Sequence, residues 1–210
     1  RWLASAPPDQ RAAGLQTTIQ RLAQTHDLEG AILAYHTLSA EPDEDTATAL
    51  ADALEEAPPA TAQSFASSLP PGNLRATCLE KLVPPQLAEQ GAAATFAWLR
   101  TLPAGADLNT AYVAVADAFV KTDLAQALTC VEALAVDDSI KEVHRVHYGF
   151  RWLQADRATA SRALPAKMTA FFDHFAAVQQ EASQLFPGLD CPISIAPQPA
   201  KPTTDQPASP

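Results

Sequence analysis

A leucine followed by a break in the chain recurs every 30 to 33 residues, and this period constrains the fold more than any other feature. Ala6, Leu38, Leu69, Leu102, Leu134 and Leu164 are separated by 32, 31, 33, 32 and 30 residues. Proline follows directly at Pro7, Pro70, Pro103 and Pro165, and Pro42 comes four residues after Leu38. A bulky apolar side chain stands three or four residues upstream at Trp2, Tyr35, Phe65, Trp98 and Val131. Such an interval holds two short helices and their turns. One helical pair cannot cover its own apolar face, so successive pairs must stack. The expectation is an all-α fold, an α-α superhelix or solenoid of about five helical-hairpin repeats with a C-terminal capping helix. It occupies residues 1–186, and a Pro-rich extended tail occupies 187–210.

Local signals agree with helices. Nearly half of the residues are apolar and only 7% are aromatic, with alanine prominent throughout. Alanine is the best helix former and lets helix axes approach closely. Leu15, Ile19 and Leu22 follow a helical stripe, and Ile32, Leu33, Tyr35 and Leu38 are expected to face inward on the next helix. Asp27, Asp123 and Asp156 stand in phase at the starts of three helices leading into the repeated leucine. An aspartate there satisfies free backbone donors and the positive end of the helix dipole, so these are structural positions and not catalytic acids. Asp9, Asn73, Asp107 or Asn109, and Asp137 or Asp138 are further candidate caps, and Pro84-Pro85 is expected to open a new helix. From Pro187 onward proline recurs and core-forming residues thin out, which favours an extended, polyproline-like tail.

Composition excludes several functions. The net charge of −10 opposes nucleic-acid binding, which needs a basic footprint. No apolar run is long enough to span a bilayer. The first residue is Arg1, consistent with a processed chain or a piece of a longer one; the expectation is a soluble protein, with export after loss of an N-terminal segment left open. Three widely spaced cysteines form neither a disulfide framework nor a zinc motif, and Cys78 and Cys130 read as small buried hydrophobes.

No catalytic constellation is legible, and no cofactor or metal is expected. There is no G-x-S-x-G elbow and no Gly-rich phosphate loop. His144 and His147 share a helix face but lack the H-E-x-x-H pattern, and read as a solvated pair.

The segment from Trp98-Leu99-Arg100-Thr101-Leu102-Pro103-Ala104-Gly105 to Asp123-Leu124-Ala125-Gln126-Ala127-Leu128 resembles the tandem helical hairpins of tetratricopeptide-like superhelices, in the divergent form found in large bacterial proteins. The likeness extends over residues 1–165, and it departs from the family's Trp-x-x-Leu-Gly pattern at Thr101. It implies a right-handed superhelix with a concave partner-binding groove, and no catalytic residues.

Charge is distributed unevenly. No Lys or Arg occurs between Arg21 and Arg75, a stretch that carries Glu44, Asp45, Glu55 and Glu56 among its nine acids. Residues 141–167 are basic and hold Arg145 and Arg151, with Trp152 beside the latter. Opposed charged ends orient a partner, and arginine beside tryptophan makes an interface anchor. Glu44, Asp45, Glu55, Glu56, Arg145, Arg151 and Trp152 are therefore the candidate partner contacts. The partners expected are other proteins, either subunits of an assembly or copies of the chain docked head to tail. The function expected is a non-catalytic interaction module or structural subunit. The alternative is an enzyme, or a peptide- or glycan-binding domain, that uses the concave groove.

Overall fold

A computed structural model describes residues 7–38, 41–120 and 122–185. Among these residues the chain is all-helical, without a strand. Helix α1 spans Pro8–Gln24, α2 Leu28–Thr37, α3 Glu44–Glu55, α4 Pro59–Ser68, α5 Asn73–Leu99, α6 Asn109–Phe119, α7 Leu124–Glu132, α8 Asp138–Ala155, α9 Arg157–Ala163 and α10 Ala166–Leu185. The chain divides into two compact units between Arg145 and Val146. The Pro-rich tail, Cys191, Trp2 and Ala6 lie outside the described residues.

In the first unit α1 packs on α2 and α3, α3 on α5, α5 on α6, and α6 on α7. The core runs through these contacts without interruption, from Ile19 and Ala31 through Leu50, Leu54, Phe65 and Leu69 to Leu74, Cys78 and Leu82. Alanines such as Ala47, Ala51, Ala62 and Ala66 occupy the seams between the leucines. Farther along, Phe96 meets Tyr112 and Phe119 edge-on, with ring centres 5.9 and 6.3 Å apart. Cys78 and Cys130 are fully buried, and burial pushes each thiol up to about 12.

The recurrent leucines share one local role. Each directly follows, or closely trails, a helix and closes its last turn. The amides of Leu38, Leu69, Leu102 and Leu134 donate to the carbonyls of Tyr35, Ala66, Leu99 and Val131, each three residues back. Leu69, Leu102, Leu134 and Leu164 are buried there. Leu38, Leu69 and Leu164 are extended, which is the conformation favoured before the prolines that follow Leu69 and Leu164.

The three in-phase aspartates cap as expected. Asp27 accepts from the Gly30 amide at 3.0 Å, Asp123 from Ala125 and Gln126 at 3.1 Å, and Asp156 from Thr159 at 3.1 Å. Other expectations fail for identifiable reasons. Asn73 is the first helical residue of α5 and not its cap. Neither Asp107 nor Asn109 caps α6, because both side chains are engaged elsewhere. Asp107 pairs with Arg75, while Asn109 accepts from the Ala135 amide at 2.8 Å. The helix does not restart at Pro84-Pro85 but continues through them. The break falls at Gly91, whose φ of 79° and ψ of 169° are open to glycine but not to residues bearing a Cβ. Leu33 is 69% exposed, because Ala31, Ile32, Tyr35 and Leu38 already cover the inward side of α2.

The second unit is built on a smaller apolar cluster. Gly149 on α8 lets Met168 and Leu164 approach; an added Cβ there would sit 2.7 Å from the Met168 sulfur. Phe150 packs on Phe172 with ring centres 4.8 Å apart. The inward stripe of α10 is Met168 and Phe172. Phe171 and Val178 lie on the open side.

Candidate functional site

The acidic segment forms one wall of an open cleft. Helix α3 buries Ala47, Leu50, Ala51 and Leu54 on one side, so Glu44, Asp45 and Asp52 project from the other. The start of α3 is set by Asp43, which accepts from the Thr46 amide at 2.8 Å. Hydrogen bonds from Thr46, its side chain and then its backbone, hold the Asp43 carboxyl below the usual aspartate value. Gln20 of α1 ties the two helices together, donating to the Thr46 hydroxyl at 2.9 Å. Between α1 and α3 lies a cleft of about 520 Å³ that takes in Gln20, His26, Glu44, Asp45, Asp52 and Glu56.

His26 closes the cleft through a feature of the backbone. Its amide donates to the Ala23 carbonyl at 3.0 Å and the Asp27 amide to that of Leu22 at 2.9 Å. These are the two bonds of a Schellman ending, with His26 in the left-handed position at φ 61°. Glycine is the usual occupant. The histidine places Nδ1 2.8 Å from Glu56 Oε2.

The carboxylates are unequally compensated. Lys81 sits 2.8 Å from Asp52 and 4.0 Å from Glu55. Its hydrogen bond to Asp52 and the charge of that group hold the ammonium above the ordinary lysine value. Glu44 and Asp45 meet no cation among the described residues, although the N-terminal end of α3 favours their charge. Of the four acidic residues singled out from sequence, Glu44, Asp45 and Glu56 thus converge on the cleft, whereas Glu55 turns toward Lys81. Gln20, His26 and Asp52 share the lining with them. Asp52 could have been found as the helical neighbour of Asp45 and Thr48, but nothing local marks Gln20 or His26.

The basic candidates fare differently. Arg145, 22% exposed at its side chain, is surrounded by three carboxylates. It donates to Glu132 at 2.7 and 2.9 Å, to Asp138 at 3.1 Å and to Glu142 at 3.2 Å. The bonds from Arg145 hold Glu132 below the usual glutamate value. Lys141 donates to the Glu132 carbonyl at 3.0 Å, closing the end of α7. Arg145 is therefore committed within its own unit. In the second unit Arg151 is exposed and Trp152 half-buried. Arg157 pairs with Asp173, and Arg162 donates to the Ala158 carbonyl at 3.1 Å.

No local signal in the sequence marks the buried pair of Arg75 and Asp107, which lie 32 residues apart. Arg75 is fully buried, and its Nη2 donates to Asp107 Oδ1 at 3.0 Å while Nε donates to the other oxygen. Gly105 leaves room for the pair, since a Cβ there would lie 3.0 Å from Arg75 Nη2. The pair is enclosed by the first unit's packing and has a structural role.

Among the described residues no three His, Cys, Asp or Glu side chains converge as metal ligands, and no helix is long and apolar enough to cross a membrane. Comparison with protein-family models, with characterised proteins and with solved structures finds no match to this chain.

Proposed function

We propose that the first unit is a stack of tetratricopeptide-like helical hairpins forming a superhelix, and that the protein is a non-catalytic interaction module or structural subunit of a larger bacterial assembly. Two observations support the architectural part. Helices touch their next-but-one neighbours, α1 on α3 and α3 on α5, as hairpins stacked in register do. The recurrent leucine closes the last turn of α2, α4, α5 and α7 in the same way, and the helical course of α5 is broken at Gly91.

The functional part is carried by the α1–α3 cleft. Four carboxylates border one open cavity, and Glu44 and Asp45 lack a cation among the described residues. A surface of this kind attracts a Lys- or Arg-rich segment of another protein and repels nucleic acid. The commitment of Arg145 to Glu132, Asp138 and Glu142 leaves Arg151 as the exposed arginine for a head-to-tail version of the contact.

The test is titration of the protein with a lysine-rich peptide and with a glutamate-rich peptide of equal length, read by fluorescence anisotropy at low and high salt. Preferential, salt-sensitive binding of the basic peptide, weakened about tenfold by Glu44→Gln with Asp45→Asn, is expected. Equal binding of both peptides, or no effect of neutralisation, overturns the reading.

A further inference from the structure

A second cavity, sharing no lining residue with the α1–α3 cleft, opens where two successive leucine breaks meet. It encloses about 350 Å³ between the end of α2, the end of α4 and the start of α5. Tyr35, Leu38, Leu69 and Pro70 form apolar walls, and Glu41 is the one charged residue of the lining. The Glu41 carboxylate borders the start of α5, since a Cβ added at Gly72 would lie 3.6 Å from its Oε1. It meets no cation among the described residues. Burial, and after it the nearby Cys78 and Glu41, hold the Tyr35 phenol above its ordinary value, so that wall stays uncharged.

The lining offers a ligand few donors. Proline has no N–H, so Pro42, Pro70 and Pro71 contribute none. The amides of Leu38 and Leu69 are already given to the carbonyls of Tyr35 and Ala66, at 2.9 and 3.4 Å. What remains is an apolar slot with a carboxylate beside it. Such a slot selects an occupant with an apolar stem and hydrogen-bond donors at its tip.

The next break along the chain is filled from within. A Cβ added at Gly105 would lie 3.0 Å from Pro71 Cβ and 3.0 Å from Arg75 Nη2, so the guanidinium of Arg75 sits beside both loops, paired with Asp107. Arg75 is the third residue of α5. The third residue of α3 is Thr46, which is uncharged and accepts from Gln20. The earlier break therefore has a carboxylate, in Glu41, but no cation of its own. We propose that the pocket bordered by Glu41 binds the guanidinium of an arginine side chain supplied by another polypeptide. The stem lies against Tyr35, Leu38 and Pro70, and the planar head donates to the Glu41 carboxylate. This site rests on Glu41 and is independent of the carboxylates of the α1–α3 cleft.

The experiment is titration of the full chain with Nα-acetyl-arginine N-methylamide and with the citrulline counterpart, which replaces the guanidinium by a neutral urea of the same shape. Amide resonances in nitrogen–proton correlation spectra are the readout. Gly72 and Leu74 report on the pocket, and Asp45 and Thr48 report on the α1–α3 cleft. Saturable shifts of Gly72 and Leu74 are expected with the arginine probe, with binding about fivefold weaker for citrulline. Glu41→Gln should weaken arginine binding to the citrulline level and leave the rest of the spectrum unchanged. Equal binding of the two probes, no shift at Gly72 and Leu74, or full arginine binding by Glu41→Gln overturns the proposal. Shifts confined to Asp45 and Thr48 also overturn it, while leaving the basic-partner reading of the cleft in place. The comparison of probes is made on the wild type, so it decides the question even if the variant does not fold.

Discussion

Neutralising Asp107 should destabilise the protein more than any surface substitution, because it strands a buried guanidinium. Arg75 is fully buried and the Asp107 side chain is 8% exposed. Two hydrogen bonds join them, one of 3.0 Å, and Arg75 Nη1 has no hydrogen-bond partner among the described residues. Unit charges about 3 Å apart attract by roughly 5 kcal/mol at an effective dielectric of about 20. Desolvation offsets much of that gain while both partners are present. Asp107→Asn keeps the shape but removes the charge, leaving the desolvation of Arg75 uncompensated at a cost of about 3–5 kcal/mol. The double change Arg75→Met with Asp107→Leu removes both charges and should come back to within about 1 kcal/mol of the wild type. Urea unfolding followed by circular dichroism measures both, provided the slope with denaturant is unchanged. A cost below about 1 kcal/mol for Asp107→Asn would show that water reaches the pair. A double variant as unstable as the single one would show that the pair orders its surroundings in a way apolar packing cannot replace.

Three further outcomes follow from the backbone and the caps. His26→Gly relieves a left-handed residue at a cost of one exposed contact with Glu56, and should stabilise by about 0.5–1 kcal/mol in thermal unfolding; destabilisation would give the His26–Glu56 contact the larger weight. Gly91→Ala and Gly105→Ala should each destabilise by about 1–2 kcal/mol, for different reasons. At Gly91 nothing lies within 4 Å of an added Cβ and the penalty is conformational, so Gly91→Asn should cost less than Gly91→Ala. At Gly105 the added atom meets Asp107, Arg75 and Pro71, so the penalty should fall when Asp107 is shortened to alanine. Asp43→Ala should cost about 1 kcal/mol at neutral pH. The carboxyl of Asp43 lies below its ordinary value when folded, so the unfolded chain binds its proton first as pH falls. The stability difference between wild type and variant is therefore full above about pH 4 and shrinks as pH falls through the folded value; a difference independent of pH would remove the carboxylate from the account.

The parts legible in the sequence were those decided within one or two helical turns. The all-helical class follows from short helical stripes and proline punctuation. The caps at Asp27, Asp123 and Asp156 follow from the geometry of a helix start, and each side chain reaches no farther than three residues ahead. The acidity of the α3 surface was equally plain, and three of its four candidate residues do border one cleft. Tertiary structure decided which polar groups meet over longer spans. Arg75 and Asp107 are 32 residues apart, and Asn109 reaches Ala135 across 26. Asp107 and Asn109 are both good cap residues in the abstract, and both were drawn away by these distant partners. Arg145 read as a free basic anchor until the fold set three carboxylates around it. The side of α10 that turns inward was also undecided, since Phe171 and Phe172 are neighbours in sequence and only packing selected Phe172 for burial. Periodicity records what a helix can bury. Its partners decide what it does bury, and they are chosen by free energies that no short window of sequence contains.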